Sequence, residues 1–199
     1  GAVVGNFSLF ANEQNVFNAD EVTLLNGVAD NISFAFDHIA RQHRLDKLSR
    51  IRAVSTEINA LIVRVHDRQK LLEGACRIAV EHGGFGIAWI GMLDPDTLDI
   101  IPAASAGIEA ASLMTTSHNS ARPDLPRGQG IVGRAIRERC PVFSNDLLIE
   151  ASPGGARRQE ALKRGYRSLI SLPLLVEDNA IGTMSLFARE PNFFDDEEI

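Results

Sequence analysis

The sequence predicts an α+β fold in which a largely antiparallel sheet is flanked by helices and preceded by a long connecting helix. Four apolar, strand-like runs form two pairs, and each pair is joined by about three turn-forming residues. Strands connected by such short turns pair antiparallel. The runs are residues 85–94 with 98–107, and residues 168–176 with 180–188. Apolar residues at helical spacing before the first pair and between the two pairs predict the helices.

The connecting helix is predicted over residues 19–66, which would make it about 70 Å long. Its apolar residues follow steps of three and four, the heptad spacing of a seam between helices. The two sets are Leu25, Val28, Ile32, Ala35, Ile39 and Ile51, Val54, Ile58, Leu61, Val65. A second copy of the helix is the simplest partner, so we expect a homodimer through residues 19–66. The pattern changes phase near residues 41–48, where packing could switch. The alternative is a kinked pair of helices folded onto their own domain.

The remaining elements follow from local signals. Asp67 is expected to cap a helix that ends at Gly83-Gly84. Between the two hairpins the sequence predicts, in order, a strand at 112–117, a loop, a helix at 131–139, a strand at 141–146 and a helix at 156–164. Helices at both ends of the domain are expected on one sheet face, and the short middle helices on the other. A ligand pocket between the sheet and the middle helices follows from that arrangement.

One stretch of sequence occurs twice. When residues 4–22 are aligned with residues 181–199, nine of 19 positions are identical. The offset of 177 residues is the length of a domain rather than of a solenoid repeat. We therefore expect three parts: the truncated last strand of a preceding repeat at 1–18, the connecting helix at 19–66, and a domain at 67–199 with a truncated C-terminal helix. The alternative is a single domain with a duplicated strand–helix motif.

Composition excludes several classes of protein. The chain is 45% hydrophobic, enough for a substantial core, and its net charge of −6 argues against nonspecific nucleic-acid binding. The basic run at residues 41–52 is better interpreted as a solvated helix face. No apolar run approaches the length of a membrane span, so no membrane contact is expected. Two cysteines, Cys76 and Cys140, suggest reduced thiols and a cytoplasmic setting.

Three segments resemble a known family. GACRIAVEHGGFGIAWIGMLDPDT, GQGIVGRAIRERCPVFSND and ALKRGYRSLISLPLLVEDNAIGTMSLFAREPNFFDDEEI, in this order, look like a GAF domain. The combination is most similar to the tandem GAF sensor modules upstream of diguanylate cyclases, cyclic-di-GMP phosphodiesterases and the histidine kinases of two-component systems. The resemblance implies a six-stranded antiparallel sheet with helices on both faces. It also implies a sensor of a ligand or of dimerisation that is not itself an enzyme, and a terminal helix that relays signals to an output domain.

The sequence contains the ligand-binding motifs of known GAF domains only in part or not at all, and no cofactor is predicted. The cyclic-nucleotide signature is partial: Asn145 is followed by Asp146 instead of lysine, and Phe193 precedes Glu197-Glu198. The acidic pair is better explained as the start of the exit helix. Neither cysteine lies in a bilin-attachment motif, and the scattered histidines give no metal spacing. The glycine-rich GQGIVG at 128–133 is interpreted as a helix start whose N–H groups could meet an anion.

The pocket, if formed, is expected to draw on alternating strand positions and on the middle helices. The predicted ligand-binding residues are Trp89, Ser105, Met114, Ile131, Asn145, Ser171 and Met184. Trp89 could stack on a planar ligand, although a core aromatic residue is the more economical reading. Three functions remain open: a regulatory sensor of a small molecule, a ligand-free dimerisation spacer, and a redox enzyme of the methionine-sulfoxide-reducing type. A small, fully packed pocket would favour the spacer.

Overall fold

The architecture centres on one six-stranded antiparallel sheet with strand order β3-β2-β1-β6-β5-β4. The computed structural model describes residues 5–13, 16–108, 110–115, 119–149 and 155–194. It divides into two compact units, Gly1–Ser49 and Arg50–Ile199, and the sheet belongs to the second. The strands are β1 (Ile87–Leu93), β2 (Asp99–Ala106), β3 (Asn119–Ser120), β4 (Val142–Ser144), β5 (Ser168–Val176) and β6 (Asn179–Ala188).

Both predicted hairpins are confirmed. Strand β1 pairs with β2, and β5 pairs with β6 in a ladder that runs from Val176 and Asn179 to Ser168 and Ala188. The two residues between β5 and β6, Glu177 and Asp178, both have positive φ, at 49° and 62°. Such a two-residue turn matches the right-handed twist of the strands. The pairing of β6 with β1 then joins the two hairpins into one sheet.

The helices are α1 (Ala19–Arg64), α2 (Arg68–Gly83), α3 (Ala110–Thr115), α4 (Ile131–Glu138) and α5 (Gly155–Lys163), with a 3-10 turn at Pro126–Gly128. Helix α2 has the predicted ends. The Asp67 carboxylate accepts a hydrogen bond from the backbone N–H of Lys70, and Gly84 follows the helix with a φ of 72°. These local caps fix where α2 begins and ends.

Alternation along the central strands gives each sheet face its own core. We call the face with Trp89 and Phe187 the front face, and the face with Ile90 and Leu186 the back face. The front core includes apolar side chains of α4, such as Val132 and Ala135, and Ala161 of α5. The back core includes Cys76 and Ala79 of α2. The short middle helices therefore cover the front face, as the sequence predicts.

One predicted strand is wrong. Residues 112–115 lie in helix α3, and residues 116–118 are outside the described part of the chain. The α3 sequence AASLMT is made mainly of residues that favour helices over strands. The edge strand in this region is instead the two-residue β3, which pairs with the start of β2.

Helix α1 is assigned as one helix of 46 residues. Its N-terminus has a capping box: the Asn18 side chain accepts from the Glu21 N–H, and the Glu21 carboxylate accepts from the Asn18 N–H. The apolar side chains differ along its length. Val28, Ile32 and Ile39 are exposed, whereas Val54, Ile58, Leu61 and Val65 are half-buried. The change of phase in the heptad pattern thus accompanies a change in burial.

The strand expected within residues 1–18 is not observed among the described residues of that segment. The described residues 5–11 have no strand conformation, and Val4 is outside the described residues. A strand requires a neighbouring strand to satisfy its backbone N–H and C=O groups. The aligned segment in β6 forms a strand because β1 and β5 flank it.

Candidate functional site

A row of hydroxyl groups crosses the front face at the centre of the sheet. Ser185 of β6 lies between Trp89 of β1 and Ser171 of β5 in the strand register. Thr183 is two residues from Ser185 and has the same orientation. All three hydroxyl-bearing residues are fully buried. Their position amid the apolar side chains of the front core makes this row the most polar part of that core.

The hydroxyl groups are linked in one direction. Thr183 Oγ1 donates to the carbonyl of Leu172 at 3.1 Å, which uses its only proton. The Ser171 hydroxyl, 2.6 Å away, must then donate to Thr183, and Ser185 donates to Ser171 at 3.1 Å. All three protons are used within this chain. The remaining capacity of the oxygen atoms is therefore for accepting hydrogen bonds.

A fourth buried hydroxyl lies beside this row. Ser144 of β4 pairs with Leu169, two register steps from the Val142–Ser171 pair and therefore on the same face. It is 1% exposed, and its Oγ has no hydrogen-bond partner among the described residues. A buried hydroxyl without a partner costs about 1–3 kcal/mol. Ser144 is consequently a costly polar group on the front face.

Helices α3 and α5 form a cover at one side of this face. Arg164, which directly follows α5, pairs with Glu160 at 2.8 Å and donates to Ser112 Oγ of α3 at 2.8 Å. Arg158 of α5 donates from two nitrogens to the carbonyl of Leu147. Short helices held by such polar contacts can separate from the sheet at lower cost than an element with a large apolar interface.

The structure brings four of the predicted ligand-binding residues to the front face. Trp89 and Ser171 lie in the central row, Ile131 at the start of α4 belongs to the front core, and Ser105 pairs with Trp89 at the β2 end of the row. Ser105 is exposed, whereas the other three are buried. Trp89 is fully buried, which fits the core reading of its indole. Sequence reasoning missed Thr183, Ser185 and Ser144.

The other three predicted residues do not join this group. Met184 faces the back core because it lies between Ile90 and Leu172 in the register, and side chains alternate along a strand. Met114 lies in α3, and its side chain is outside the described part of the chain. Asn145 follows β4, where its side chain bonds to the backbone of a distant segment.

That segment is the exit segment, residues 190–194, which leaves the sheet after β6. The Asn145 amide donates to the carbonyl of Phe194 at 2.7 Å and accepts from its N–H at 3.0 Å. The buried Ser168 hydroxyl donates to the carbonyl of Glu190 at 2.7 Å. Asn145 and Ser168 thus attach the exit segment to the ends of β4 and β5. Asn145 of the partial cyclic-nucleotide signature therefore makes a structural contact, whereas Glu197-Glu198 lie outside the described residues.

The exit segment also packs against the end of α2 and the second half of α1. Phe193 and Phe194 lie 5.4 Å and 6.2 Å from the ring of Phe85. The guanidinium of Arg50 lies over the Phe193 ring at 4.6 Å and donates to the carbonyl of Gly83. One cluster therefore contacts the connecting helix, the back face and the exit from the domain.

The glycines of GQGIVG serve close packing. A Cβ atom on Gly133, in the first turn of α4, would lie 2.6 Å from the carbonyl oxygen of Ser120 and also against that of Gly128. A Cβ on Gly128 would overlap the carbonyl of Arg122. Arg137 donates to the carbonyls of Ala121 and Gly128. These contacts lock α4 against β3 and the 3-10 turn.

The two cysteines have different environments. Cys76 lies on α2 in the back core, and burial raises the pKa of its thiol to about 12. Cys140 is exposed and follows α4, which covers the front face. Thiolate chemistry needs accessible cysteines that can approach each other. The two cysteines, one buried and one exposed, therefore give no support to a redox enzyme.

Thiol labelling checks this assignment. We expect Ellman's reagent to modify Cys140 at once and Cys76 only after unfolding, because burial stabilises the neutral Cys76 thiol. A raised folded-state pKa adds stability below the unfolded value of 9.0, and this stability is lost as pH rises toward about 12. Cys76→Ala should flatten the fall in stability above pH 9.0, whereas Cys140→Ala should not. Equal labelling rates for both thiols in the native protein would contradict the assignment.

Among the residues that the structure describes, no group of three or more histidine, cysteine, aspartate or glutamate side chains could hold a metal ion. Within the same residues, no helix is both long and apolar enough to cross a membrane.

The six-stranded antiparallel sheet with helices on both faces is the architecture of a known domain family. The GAF domain family matches residues 65–199 of the chain. The chain belongs to the GAF domain family. GAF domains are generally regulatory sensors, although enzymes also share the fold.

Solved structures agree on the fold. One is free methionine-R-sulfoxide reductase from Neisseria meningitidis in complex with its substrate, with 19% identity, a TM-score of 0.60, and coverage of 74% of this chain and 78% of that chain. The nlh2 GAF domain of A. aeolicus in an inactive state has 18% identity and a TM-score of 0.57, with coverage of 77% and 85%. The GAF domain of a phosphoenolpyruvate-protein phosphotransferase from Coxiella burnetii has 15% identity and a TM-score of 0.59, with coverage of 77% and 84%. No relative was found among curated protein sequences.

Proposed function

We propose that this chain is a regulatory sensor region of a bacterial multidomain signalling protein. It binds a small molecule on the front face of the GAF sheet and controls a downstream output domain. The single observation that carries the proposal is the row of buried hydroxyls, Ser171, Thr183 and Ser185, with Ser144 nearby on the same face, whose Oγ has no hydrogen-bond partner among the described residues. An apolar core gains nothing from four hydroxyls, whereas a ligand site needs a few placed polar groups. The free thiols support a cytoplasmic setting.

The hydroxyl chain indicates the chemistry of the ligand. Its protons are consumed internally, so the oxygens of Ser171, Thr183 and Ser185 offer acceptor capacity. Ser144 can both donate and accept. The complement is a small molecule that presents N–H or O–H donors and carries an acceptor for Ser144. Because the site is buried, the ligand enters when α3 and α5 separate from the sheet.

Occupancy of this site has a route to the output domain. Ser144 precedes Asn145 in the chain, and Asn145 holds Phe194 of the exit segment through two hydrogen bonds. Ser168 similarly lies three residues before Ser171 in β5. A ligand that draws Ser144 toward the front face shifts the end of β4, and with it the exit segment. Signalling then consists of a change in the relative population of two positions of this segment.

A thermal-shift experiment tests ligand binding. The probes are a panel of free amino acids, nucleobases and nucleosides, all small molecules rich in N–H donors. At a concentration about 100 times Kd, a ligand adds about 2.7 kcal/mol and raises the melting temperature by several degrees. We expect at least one probe to do so in the wild type and none in Ser171→Ala.

Ser55→Ala is the matched control, because Ser55 is exposed on α1. It should keep the full thermal shift. A shift that survives in Ser171→Ala would place the ligand elsewhere, and a panel without effect on the wild type would reject the proposed ligand class.

We also propose that the chain forms a homodimer through α1, within residues 19–66. No residue of α1 is buried in the isolated chain, and its first half exposes Val28, Ile32 and Ile39 at heptad spacing. Water contact with such a stripe is unfavourable by about 25 cal/mol per Å², and the same stripe of a second copy would cover it.

Disulfide cross-linking tests the dimer. In a Cys140→Ser background, Ile32→Cys should form a disulfide-linked dimer on mild oxidation, because residues of the seam face their counterparts. Asp30→Cys, on the opposite side of the helix, should remain monomeric in a denaturing gel. Equal cross-linking of both variants, or none with Ile32→Cys, would contradict a parallel seam at this position.

A ligand-free dimerisation spacer is the second candidate. Two observations support it. Trp89, Ile131 and Ser171 are buried. The hydroxyls of Ser171, Thr183 and Ser185 are linked to one another by hydrogen bonds. The spacer predicts a dimer whose melting temperature no small molecule changes, so the thermal-shift experiment separates the candidates.

A further inference from the structure

The first unit, Gly1–Ser49, carries a surface of exposed apolar side chains. Phe10 is 95% exposed, and Phe7, Leu9 and Phe17 are exposed as well. Large apolar side chains clustered in this way mark a surface that a partner covers. Leu9, Phe10 and Phe17, together with the start of α1, line an apolar concavity of about 360 Å³, whose walls also include Val16, Leu24 and Leu25.

The second copy of the sequence shows what covers these side chains. Phe10 aligns with Phe187 of β6, which is 1% exposed, and Leu9 and Phe17 align with the buried Leu186 and Phe194. In β6 the burial comes from the neighbouring strands β1 and β5, and from the helices on both faces. Residues 5–11 therefore have the sequence of a central strand but pair with no strand among the described residues.

We propose that residues 4–22 are the last strand and the beginning of the exit helix of another GAF-type sheet. The partner is a five-stranded antiparallel sheet whose strands equivalent to β1 and β5 are open toward each other. Insertion of residues 4–11 between them buries Leu9 on one face and Phe10 on the other, as β6 buries Leu186 and Phe187. The exit helix of that sheet is then α1 itself.

The connection assigns this sheet to the same polypeptide, on the N-terminal side. Strand β5 ends at Val176, and only Glu177 and Asp178 separate it from β6. The equivalent strand must therefore end a few residues before Val4. A second copy of this chain is a poor partner because its β1 and β5 are already paired with its own β6.

A fusion protein tests the proposal. Residues 50–180 are joined directly to Val4, and the chain then continues to residue 199, so that residues 4–22 follow a sheet that lacks only its last strand. The readout is amide hydrogen exchange at Leu9, Phe10 and Ala11. We expect exchange at least about 100-fold slower in the fusion than in the unfused chain, because strand pairing closes these amides.

Two variants complete the test. Phe10→Asp should abolish the protection in the fusion and leave exchange in the unfused chain unchanged. A reference fusion of residues 50–199 to Thr23, which contains the authentic β6, reports whether the added sheet folds. Fast exchange at Phe10 in the first fusion, with the reference fusion folded, would overturn the proposal. Concentration-dependent protection in the unfused chain would overturn it in favour of a second copy.

An exchange within the single domain gives an independent readout. Replacing residues 181–199 by residues 4–22 keeps the apolar alternation of β6 and should yield a cooperatively folded protein. The same replacement shifted by one residue puts the apolar side chains on the wrong faces and should unfold the sheet. Unfolding in both cases would contradict the assignment of residues 4–22 as a last strand.

Discussion

Gly133→Ala is expected to destabilise the domain by about 3 kcal/mol, the upper range for adding a methyl group to a packed interior. The new Cβ would lie 2.6 Å from the Ser120 carbonyl oxygen and against that of Gly128, and neither backbone atom can rotate away. Relief requires α4 to move from β3 and the 3-10 turn. Urea unfolding should show a lower midpoint with little change in slope.

Gly27→Ala is the matched control for this substitution. Gly27 is in α1, where no described atom lies within 4 Å of an added Cβ. Alanine should stabilise this helix by about 0.5–1 kcal/mol, because glycine loses more backbone entropy on folding. The same methyl group is thus expected to have opposite effects at the two sites. A Gly133→Ala protein as stable as the wild type would show that α4 is not locked by this contact.

Asn145→Ala should cost about 2–3 kcal/mol and release the exit segment. The substitution removes both hydrogen bonds to Phe194 and leaves its backbone N–H and C=O without their side-chain partner. Hydrogen exchange at the Phe194 amide should accelerate more than exchange in the β5–β6 ladder. Such selective loss is expected if Asn145 is the attachment point between the sheet and the output side.

Asn179→Ala is the corresponding control. Asn179 follows the β5–β6 turn, and its side chain donates only to the exposed Glu177 carbonyl among the hydrogen bonds described. This substitution should change stability by less than about 0.5 kcal/mol. If Asn145→Ala were equally mild, or accelerated exchange uniformly across the sheet, the relay from β4 to the exit segment would lose its basis.

The hairpins, the caps of α2 and the length of α1 could be predicted because each depends on nearby residues. Glu177-Asp178 forms the short turn between two strand-forming segments. Asp67 caps the N–H groups of the helix that directly follows it in the chain. The strand predicted at 112–117 failed because a short segment without clear alternation gives no period to read. There, the helix-favouring Ala-Ala-Ser-Leu-Met of α3 was the better guide.

The residues of the candidate site could be predicted from the sequence only in part. Trp89, Ser105 and Ser171 share the front face because alternation places them there, and Ile131 reaches the same face from α4. The same alternation contained the signal for Thr183 and Ser185, which flank Met184 in β6, and it assigns Met184 to the back face.

Asn145 illustrates a different limit. Its partner Phe194 is 49 residues away, and only the folded sheet brings them together. Burial of Ser144 could not be foreseen either, since a three-residue strand carries too little alternation to assign its faces.

Native mass spectrometry of the purified protein tests the central claim most directly. The account predicts a small noncovalent mass on each subunit of the wild type, either co-purified or taken up from the panel of amino acids, nucleobases and nucleosides. Ser171→Ala should lose this mass, whereas Ser55→Ala should retain it. A wild-type protein that carries only its polypeptide mass under all these conditions would contradict ligand sensing at the front face.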